Sequence, residues 1–231
     1  MTSIDRIYEL VIDALKNERF YEAKKIINQS QVSEIQWLLW YVCYHDHFEF
    51  VKLLLDKGVN VQFRNNSAIY SVCHEGYYEI AKLLIERGAD IHVDNDKPIR
   101  DACSKGYYEI AKMLIENGAN IHAEDNHCMA FATDYKIVKL LIDHGADATA
   151  RKSLALRTAA CRGDIESMKL LIEHVADINT VNIPVVAQCN QLEAVKLLYE
   201  HGADIHVDND FAIVKAWSGG LHEIEEFLRT H

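Results

Sequence analysis

Apolar residues recur along the chain at the spacing of short amphipathic helices. One such segment is GYYEIAKLLIERGADIH, residues 76–92. Its Ile80, Leu83 and Leu84 lie three and four positions apart and share one helix face, with charged residues opposite. The pattern predicts a helix of about nine residues that ends at a glycine, which tolerates the left-handed conformation of a helix terminus. A second apolar stripe in residues 97–105, KPIRDACSK, predicts another short helix, which precedes the equivalent segment at 106–122.

This pair of helices is repeated at a nearly constant period. The nine residues GADIHVDND occur twice, at 88–96 and at 202–210. Helices this short are marginal in water alone, so each pair must bury its apolar faces against neighbouring pairs. With Val175 filling one gap, the steps between successive glycines are 30, 30, 27, 30 and 27 residues. The glycines that follow the second helices are Gly58, Gly88, Gly118, Gly145 and Gly202.

Three segments carry a family resemblance. They resemble the second half of ankyrin repeats. The segments are residues 76–92, GYYEIAKMLIENGANIH (106–122) and GDIESMKLLIEHVADIN (163–179). The similarity extends from about residue 33 to residue 231. It implies an all-α ankyrin-repeat solenoid of stacked helix-turn-helix units with short connectors. The repeats are about three residues shorter than the usual ankyrin unit, a form that resembles the ankyrin proteins of amoeba-infecting giant DNA viruses.

The same register predicts the domain organisation. We expect a divergent helical cap at residues 1–30, with helices at 4–16 and 20–29. Ankyrin-type repeats are expected over 31–208, followed by a C-terminal capping repeat at 207–231. The approximate units are 33–62, 63–92, 93–122, 123–149, 150–179 and 180–206.

Two repeats lack three residues each. Between Ala132 and Ile137 the corner that reads SKGYYE in another repeat has become TDYK, which tightens the turn between helices. Within residues 179–196 the position of the second deletion is ambiguous. Val175 stands where other repeats have the helix-ending glycine, and a β-branched residue disfavours the positive φ of that site. We expect either a strained turn there or a helix that ends differently.

Composition narrows the classes of function. Hydrophobic residues make up 49% of the chain, enough for a core, and the formal charge is −11. This charge opposes general affinity for nucleic acid or anionic membranes. Asp5 and Arg6 interrupt the apolar run that a signal peptide needs, and WLLWYVCY (37–44) is too short to span a bilayer. We expect an intracellular protein that is not Sec-exported, in the host cytoplasm if the viral resemblance holds.

Cysteine is the first candidate for site chemistry. The six cysteines contain no CxxC pair, and Cys43, Cys73 and Cys103 recur at a step of 30 residues. Stacked helices lie about 8 to 10 Å apart, beyond the usual reach of a disulfide. We therefore expect a buried column of free thiols, with a metal or redox role as the alternative.

Histidine is the second candidate. The HDH at 45–47 and the column of His92, His122 and His206 lack partners at metal-ligand spacing. Phosphate loops and nucleophile elbows are also missing from the sequence. We expect no metal, no cofactor and no enzymatic activity.

The surface expected to bind a partner consists of exposed first-helix residues and connector tips, which the resemblance places on a concave face. The connector tips of several repeats are acidic and those of one repeat are basic, and a partner could recognise this difference in charge. An ordinary solvated surface is the alternative. The candidate residues are Tyr70, Asp94, Asp96, Arg100, Asp101, Phe131, Arg157, Arg162, Asp208 and Asp210.

These expectations favour a monomeric, non-enzymatic protein-protein interaction scaffold whose partner is a host or viral protein. An adaptor that delivers substrates to a ubiquitin ligase in a virus-infected cell is the alternative, and an enzyme is less favoured. The resemblance also makes Asn179 a candidate for an asparaginyl hydroxylase, with a structural role of this position in the turn as the alternative.

Overall fold

The computed structural model describes residues 3–174 and 178–231, so Val175 lies outside the described residues. All regular structure in these ranges is helical, and they contain no strand. The predicted all-α repeat fold is confirmed. None of the described helices is long and apolar enough to cross a membrane.

The described chain begins with three helices: α1 (Ser3–Lys16), α2 (Phe20–Gln29) and α3 (Val32–Ile35). Helix α1 packs against both α2 and α3. The described chain then continues as pairs of a first and a second helix. The pairs are α4 (Leu38–Tyr44) and α5 (Phe48–Asp56); α6 (Phe63–Glu75) and α7 (Tyr78–Glu86); α8 (Val93–Lys105) and α9 (Tyr108–Glu116); α10 (Ala123–Ala130) and α11 (Tyr135–Asp143); α12 (Ala150–Arg162) and α13 (Ile165–Ile172); α14 (Ile183–Ala187) and α15 (Leu192–Glu200); α16 (Val207–Ser218) and α17 (His222–Thr230).

The chain forms two compact units. Unit 1 comprises Met1–Ala102 and Met113–Ala119, and unit 2 comprises Cys103–Lys112 and Asn120–His231. Within unit 1, first helix α4 packs on first helix α6, and second helix α5 packs on second helix α7. Unit 2 shows the same order, because α10, α12, α14 and α16 pack in succession, as do α11, α13, α15 and α17.

The apolar stripe read from the sequence faces this packing. Ile80 is 1% exposed and Leu84 is fully buried, whereas Leu83 lies at the edge of the buried face and is half-buried. Burying each large aliphatic side chain contributes about 1.5 to 3 kcal/mol. The helices are therefore stabilised mainly by their neighbours in the stack.

The repeated GAD sequence ends the second helix. Gly88 has a φ of +84°, and the N–H of Ala89 donates to the Leu84 carbonyl (2.9 Å). The Asp90 carboxylate then accepts the N–H of His92, two residues on (2.9 Å). The glycine, the alanine N–H and the aspartate carboxylate of this motif all form the turn, so the motif recurs along the chain for a structural reason.

Connectors of ordinary length wind into a left-handed turn of three residues before the first helix continues. The φ values of these residues lie between +49° and +61°. Asn and Asp tolerate this conformation better than other side chains, which accounts for sequences such as VDND. The turns are residues 64–66, 94–96, 124–126, 151–153 and 208–210.

The last residue of the turn connects neighbouring repeats. In unit 1 the Asn66 carboxamide oxygen accepts the N–H of Asp90 in the next connector (3.0 Å). In unit 2 Ser153 and Thr180 join two connectors through their hydroxyls (2.7 Å). These side-chain bridges fix the spacing of the connectors along each unit.

The structure locates both three-residue deletions. In α10 only four residues, 127–130, follow the left-handed turn, and the Asp134 carboxylate caps the next helix by accepting the Ile137 N–H (3.1 Å). The predicted tight corner is therefore confirmed. In the second short repeat a 3₁₀ turn, Ile178–Thr180, leads to α14, and none of residues 178–187 has a positive φ. The deletion has removed the left-handed turn.

The left-handed turn generates a stability prediction. Lys152 is exposed and has a φ of +57°, although lysine has no side-chain group that favours this conformation. We expect Lys152→Asn to raise the free energy of unfolding by about 0.5 to 1 kcal/mol. The same change at Lys139, exposed within α11, should lower it by about 0.5 kcal/mol. Urea unfolding of the two variants checks the opposite signs, and a loss of stability in both would contradict the account.

Candidate functional site

The first helices of unit 1 present matching positions at a step of 30 residues. Tyr70, chosen from the sequence, therefore has an aromatic counterpart one repeat earlier, Trp40, which is also half-buried. Trp37 occupies the position equivalent to Ser67 and is 40% exposed. The first repeat thus adds two indoles to this face. The matching sets are Trp37, Ser67 and Lys97, and Trp40, Tyr70 and Arg100.

Arg64 lies beside these indoles. Its guanidinium stands over the Trp37 ring, 4.7 Å from the ring centre. Trp40, Arg64 and Ser67 line a cleft of about 380 Å³. The Trp40 indole Nε1 donates to the Ser71 hydroxyl (2.9 Å), and its ring stacks on Tyr44 at 5.5 Å. Hereafter the aromatic cleft means this cleft together with the rings of Trp37 and Tyr44, which contact Arg64 and Trp40.

Tyr70 belongs to a neighbouring polar network. Lys97 Nζ lies 5.2 Å from the Tyr70 ring centre and 3.4 Å from an Asp101 carboxylate oxygen. The other Asp101 oxygen lies 2.9 Å from His74 Nδ1. The structure therefore brings Tyr70 and Asp101 together, and it neutralises the charges of Lys97 and Asp101 against each other.

Three further candidates from unit 1 serve the connector itself. Arg100 donates to the backbone carbonyls of Asn95 (3.1 Å) and Asp94 (2.8 Å), so it holds the left-handed turn. Asp94 is exposed. The prediction that Asp96 is an accessible tip is wrong: the residue is 6% exposed, and its carboxylate lies 2.9 Å from His92 Nδ1. In this turn the third residue is directed inward.

The candidates from unit 2 do not form one cluster. Phe131 is 39% exposed and contacts the His127 ring at 4.4 Å and the Arg151 guanidinium at 5.5 Å. Arg162 donates to the Ala132 carbonyl (3.0 Å) and so ties two repeats together. Arg157 is half-buried.

The second VDND copy differs from the first. Asp208 is exposed, and Asp210 lies 2.6 Å from His206 Nδ1 with its side chain 55% exposed, against 9% for Asp96. Asn179 is exposed, and its carboxamide oxygen accepts the Asp204 N–H (2.8 Å). Hydroxylation of Asn179 stays a prediction.

The cysteine column is buried, as predicted. Cys43, Cys73 and Cys103 are fully buried, free thiols. Burial, together with the charge of Asp101, raises the pKa of Cys73 to about 12. Burial raises the pKa of Cys43, and a hydrogen bond with Cys128 together with burial raises that of Cys103. A thiol kept protonated and covered is a poor nucleophile and a poor metal ligand.

Cys161 and Cys189 form a disulfide that the sequence analysis did not anticipate. They lie at the ends of two consecutive first helices in unit 2, α12 and α14, with Cα atoms 4.9 Å apart. The distance of about 8 to 10 Å that argued against disulfides holds between the axes of stacked helices. It does not apply to these two cysteines, because the ends of α12 and α14 come closer together. Alignment of the two repeats would have placed both cysteines at these helix ends.

The histidines of the column His92, His122 and His206 contact the left-handed turns of the connectors. His122 and His206 repeat the contact of His92, each pairing its Nδ1 with the side chain four residues on (2.8 and 2.6 Å). Asp46 of the HDH has a φ of +55° at the corner between α4 and α5. Burial and the charge of His45 lower the pKa of His47. Within residues 3–174 and 178–231, no group of three His, Cys, Asp or Glu side chains could hold a metal ion.

Trp37, Trp40 and Tyr44 were not expected as site residues from the sequence, whereas Arg64 belongs to the connector tips. The signal was present, because stepping back one period from Tyr70 and Ser67 gives Trp40 and Trp37. The position of Arg64 over an indole depends on the left-handed turn, which no residue pattern specified.

Comparison with known proteins identifies a family. A family model described as "Ankyrin repeats (3 copies)" matches residues 13–95, 39–125, 99–182 and 126–209. Together these overlapping segments extend over well more than half of the 231 residues. No curated protein matches the chain.

The buried thiol of Cys73 generates a prediction about pH. Its pKa is raised from about 9 to about 12, so the stability it contributes is complete below pH 9 and is lost as pH rises towards 12. We expect the unfolding free energy of the parent chain to fall more steeply with pH than that of Cys73→Ala. The difference should approach about 1.4 kcal/mol per pH unit.

Urea unfolding at pH 9.5 to 10.5 measures these slopes. Val72→Ala provides the control, because it alters a fully buried, non-titrating neighbour on the same helix. Its slope should run parallel to that of the parent. Equal slopes for the parent and Cys73→Ala would contradict the inferred burial of the thiol.

Proposed function

The chain belongs to the ankyrin-repeat family, and we propose that it is a non-enzymatic scaffold that binds a protein partner through the exposed face of its first helices and its connector tips. Ankyrin repeats are typical protein-protein interaction modules, and the family is generally non-enzymatic. By family resemblance the first-helix face is the concave one.

The observation that carries the proposal is the chemistry of this face. Trp37, Tyr44 and Phe131 are 40%, 44% and 39% exposed, although aromatic side chains stabilise a fold most when buried. Rigid aromatic side chains bury a large area on binding and lose little conformational entropy, so they are favoured as interface anchors. The exposed aromatic side chains at the first helices are therefore suited to binding a protein partner.

Finer aspects of function stay predictions from the sequence. These are a role as a ubiquitin-ligase adaptor, a source among giant DNA viruses, a location in the host cytoplasm, a monomeric state and the hydroxylation of Asn179. The binding proposal requires none of them.

Two aromatic residues of equal exposure provide a test of the binding face. Phe131 adjoins first helix α10 and Tyr135 begins second helix α11, and each is 39% exposed. We expect Phe131→Ala to weaken binding of a partner purified with the full chain by about fivefold or more, as for an interface residue worth over 1 kcal/mol. Calorimetric titration measures the affinity.

Tyr135→Ala is the matched control and should leave the affinity unchanged. Circular dichroism of both variants verifies that they remain folded. If Tyr135→Ala weakens binding as much as Phe131→Ala, the partner does not select the first-helix face. If the full chain binds no protein, the proposed function itself fails.

A further inference from the structure

We infer that the aromatic cleft holds a short segment of the partner protein that carries a carboxylate next to an apolar side chain. The inference rests on the proposed function, because it specifies the chemistry of the partner at one place on the first-helix face. Its basis is the juxtaposition of an unpaired guanidinium with an indole that is held in place.

Arg64 supplies the charged half of the site. It is exposed, and its guanidinium carbon lies 4.7 Å from the centre of the Trp37 ring, a cation-π contact. Among the described residues, none accepts a hydrogen bond from it or forms an ion pair with it. The guanidinium is therefore positioned by the indole while its N–H donors remain available. Its planar fork matches both oxygens of a carboxylate.

Arg151 shows what this position looks like when it serves the fold. Like Arg64, it is the first residue of a left-handed turn. Its Nε donates to the Asp125 carbonyl (3.0 Å) and lies 3.3 Å from the Asp125 carboxylate, and Nη2 donates to the Glu124 carbonyl. The two arginines occupy equivalent positions but differ in their hydrogen bonds. The N–H donors of Arg151 have acceptors within unit 2, whereas those of Arg64 have none among the described residues.

Trp40 supplies the apolar half of the site. Its one polar atom is already bonded to the Ser71 hydroxyl, and one side of its ring stacks on Tyr44 with an interplanar angle of 23°. What the indole offers the cleft is therefore apolar surface in a fixed orientation. The cleft of about 380 Å³ lies at the small end of the range for ligand sites. This size suits one large side chain with its backbone.

Charge selects the partner segment. Lys97 is paired with the Asp101 carboxylate, and Arg100 uses its N–H donors on connector carbonyls, so both cations are already engaged within the fold. The chain as a whole carries a formal charge of −11. An acidic segment is repelled by such a protein in general and is stabilised at Arg64, which has no hydrogen-bond or ion-pair partner among the described residues.

The experiment begins with a random heptapeptide display library panned on the full chain. We expect enrichment of sequences with Asp or Glu within two residues of Trp, Phe, Tyr or Leu. An enriched peptide is then synthesised with a fluorescent label, and its affinity for the chain is measured by anisotropy. Arg64→Gln should weaken this binding by about tenfold or more, the usual effect of losing a charge-assisted hydrogen bond.

Arg151→Gln is the matched control. It removes the equivalent arginine from unit 2, so we expect a lower melting temperature and unchanged peptide affinity. Arg64→Gln should leave the melting temperature close to that of the parent, because the residue makes no hydrogen bond that the fold needs. Arg64→Lys keeps the charge without the planar fork and should bind with intermediate affinity.

Each other outcome overturns the inference. Enriched peptides without an acidic residue, or with equal affinity for Arg64→Gln, would show that the cleft does not select a carboxylate, while peptide binding itself would leave the proposed function standing. A library without enrichment would also reject the cleft as a peptide site. Tighter binding of a labelled twelve-nucleotide oligouridine, lost in Arg64→Gln, would assign the cleft to single-stranded RNA instead.

Discussion

The structure depends on the burial of apolar helix faces between successive repeats. Helices of seven to nine residues, such as α4, α5 and α7, form too few internal hydrogen bonds to be stable alone. First helices pack on first helices and second helices on second helices within each unit, and this order gives every helix its neighbours. Because the apolar residues are committed to that packing, binding must use the surface that the packing leaves exposed.

The connectors impose a second constraint. A glycine ends each second helix of ordinary pattern, an aspartate or asparagine closes the following turn, and three left-handed residues start the next first helix. Asn66 and Asp96 then direct their side chains inward. In these two turns the first residue is exposed, so the chemistry of the connector depends on whether that residue is acidic, as at Asp94, or basic, as at Arg64.

Much of the fold could be predicted from periodicity, since a Leu-Leu or Met-Leu pair followed by glycine recurs at the second helices α5, α7, α9, α11 and α15. The site could be predicted only in part, because exposure at a repeat depends on contacts beyond that repeat. Asp96 and Asp210 occupy identical local sequences and differ sixfold in side-chain exposure. Arg64 and Arg151 share a position, yet only Arg151 has a carboxylate nearby. Cys161 and Cys189 pair because two helix ends converge, which spacing along the chain does not reveal.

Hydroxyl-radical footprinting of the chain with and without its bound partner tests the central claim most directly. Trp37 and Tyr44 belong to the aromatic cleft, whereas Tyr21 in α2 and Tyr135 at the start of second helix α11 lie outside the first helices and are 84% and 39% exposed. The account predicts that the partner reduces oxidation of Trp37 and Tyr44 and leaves that of Tyr21 and Tyr135 unchanged. Protection of Tyr21 or Tyr135, with Trp37 and Tyr44 oxidised as in the unbound chain, would contradict it.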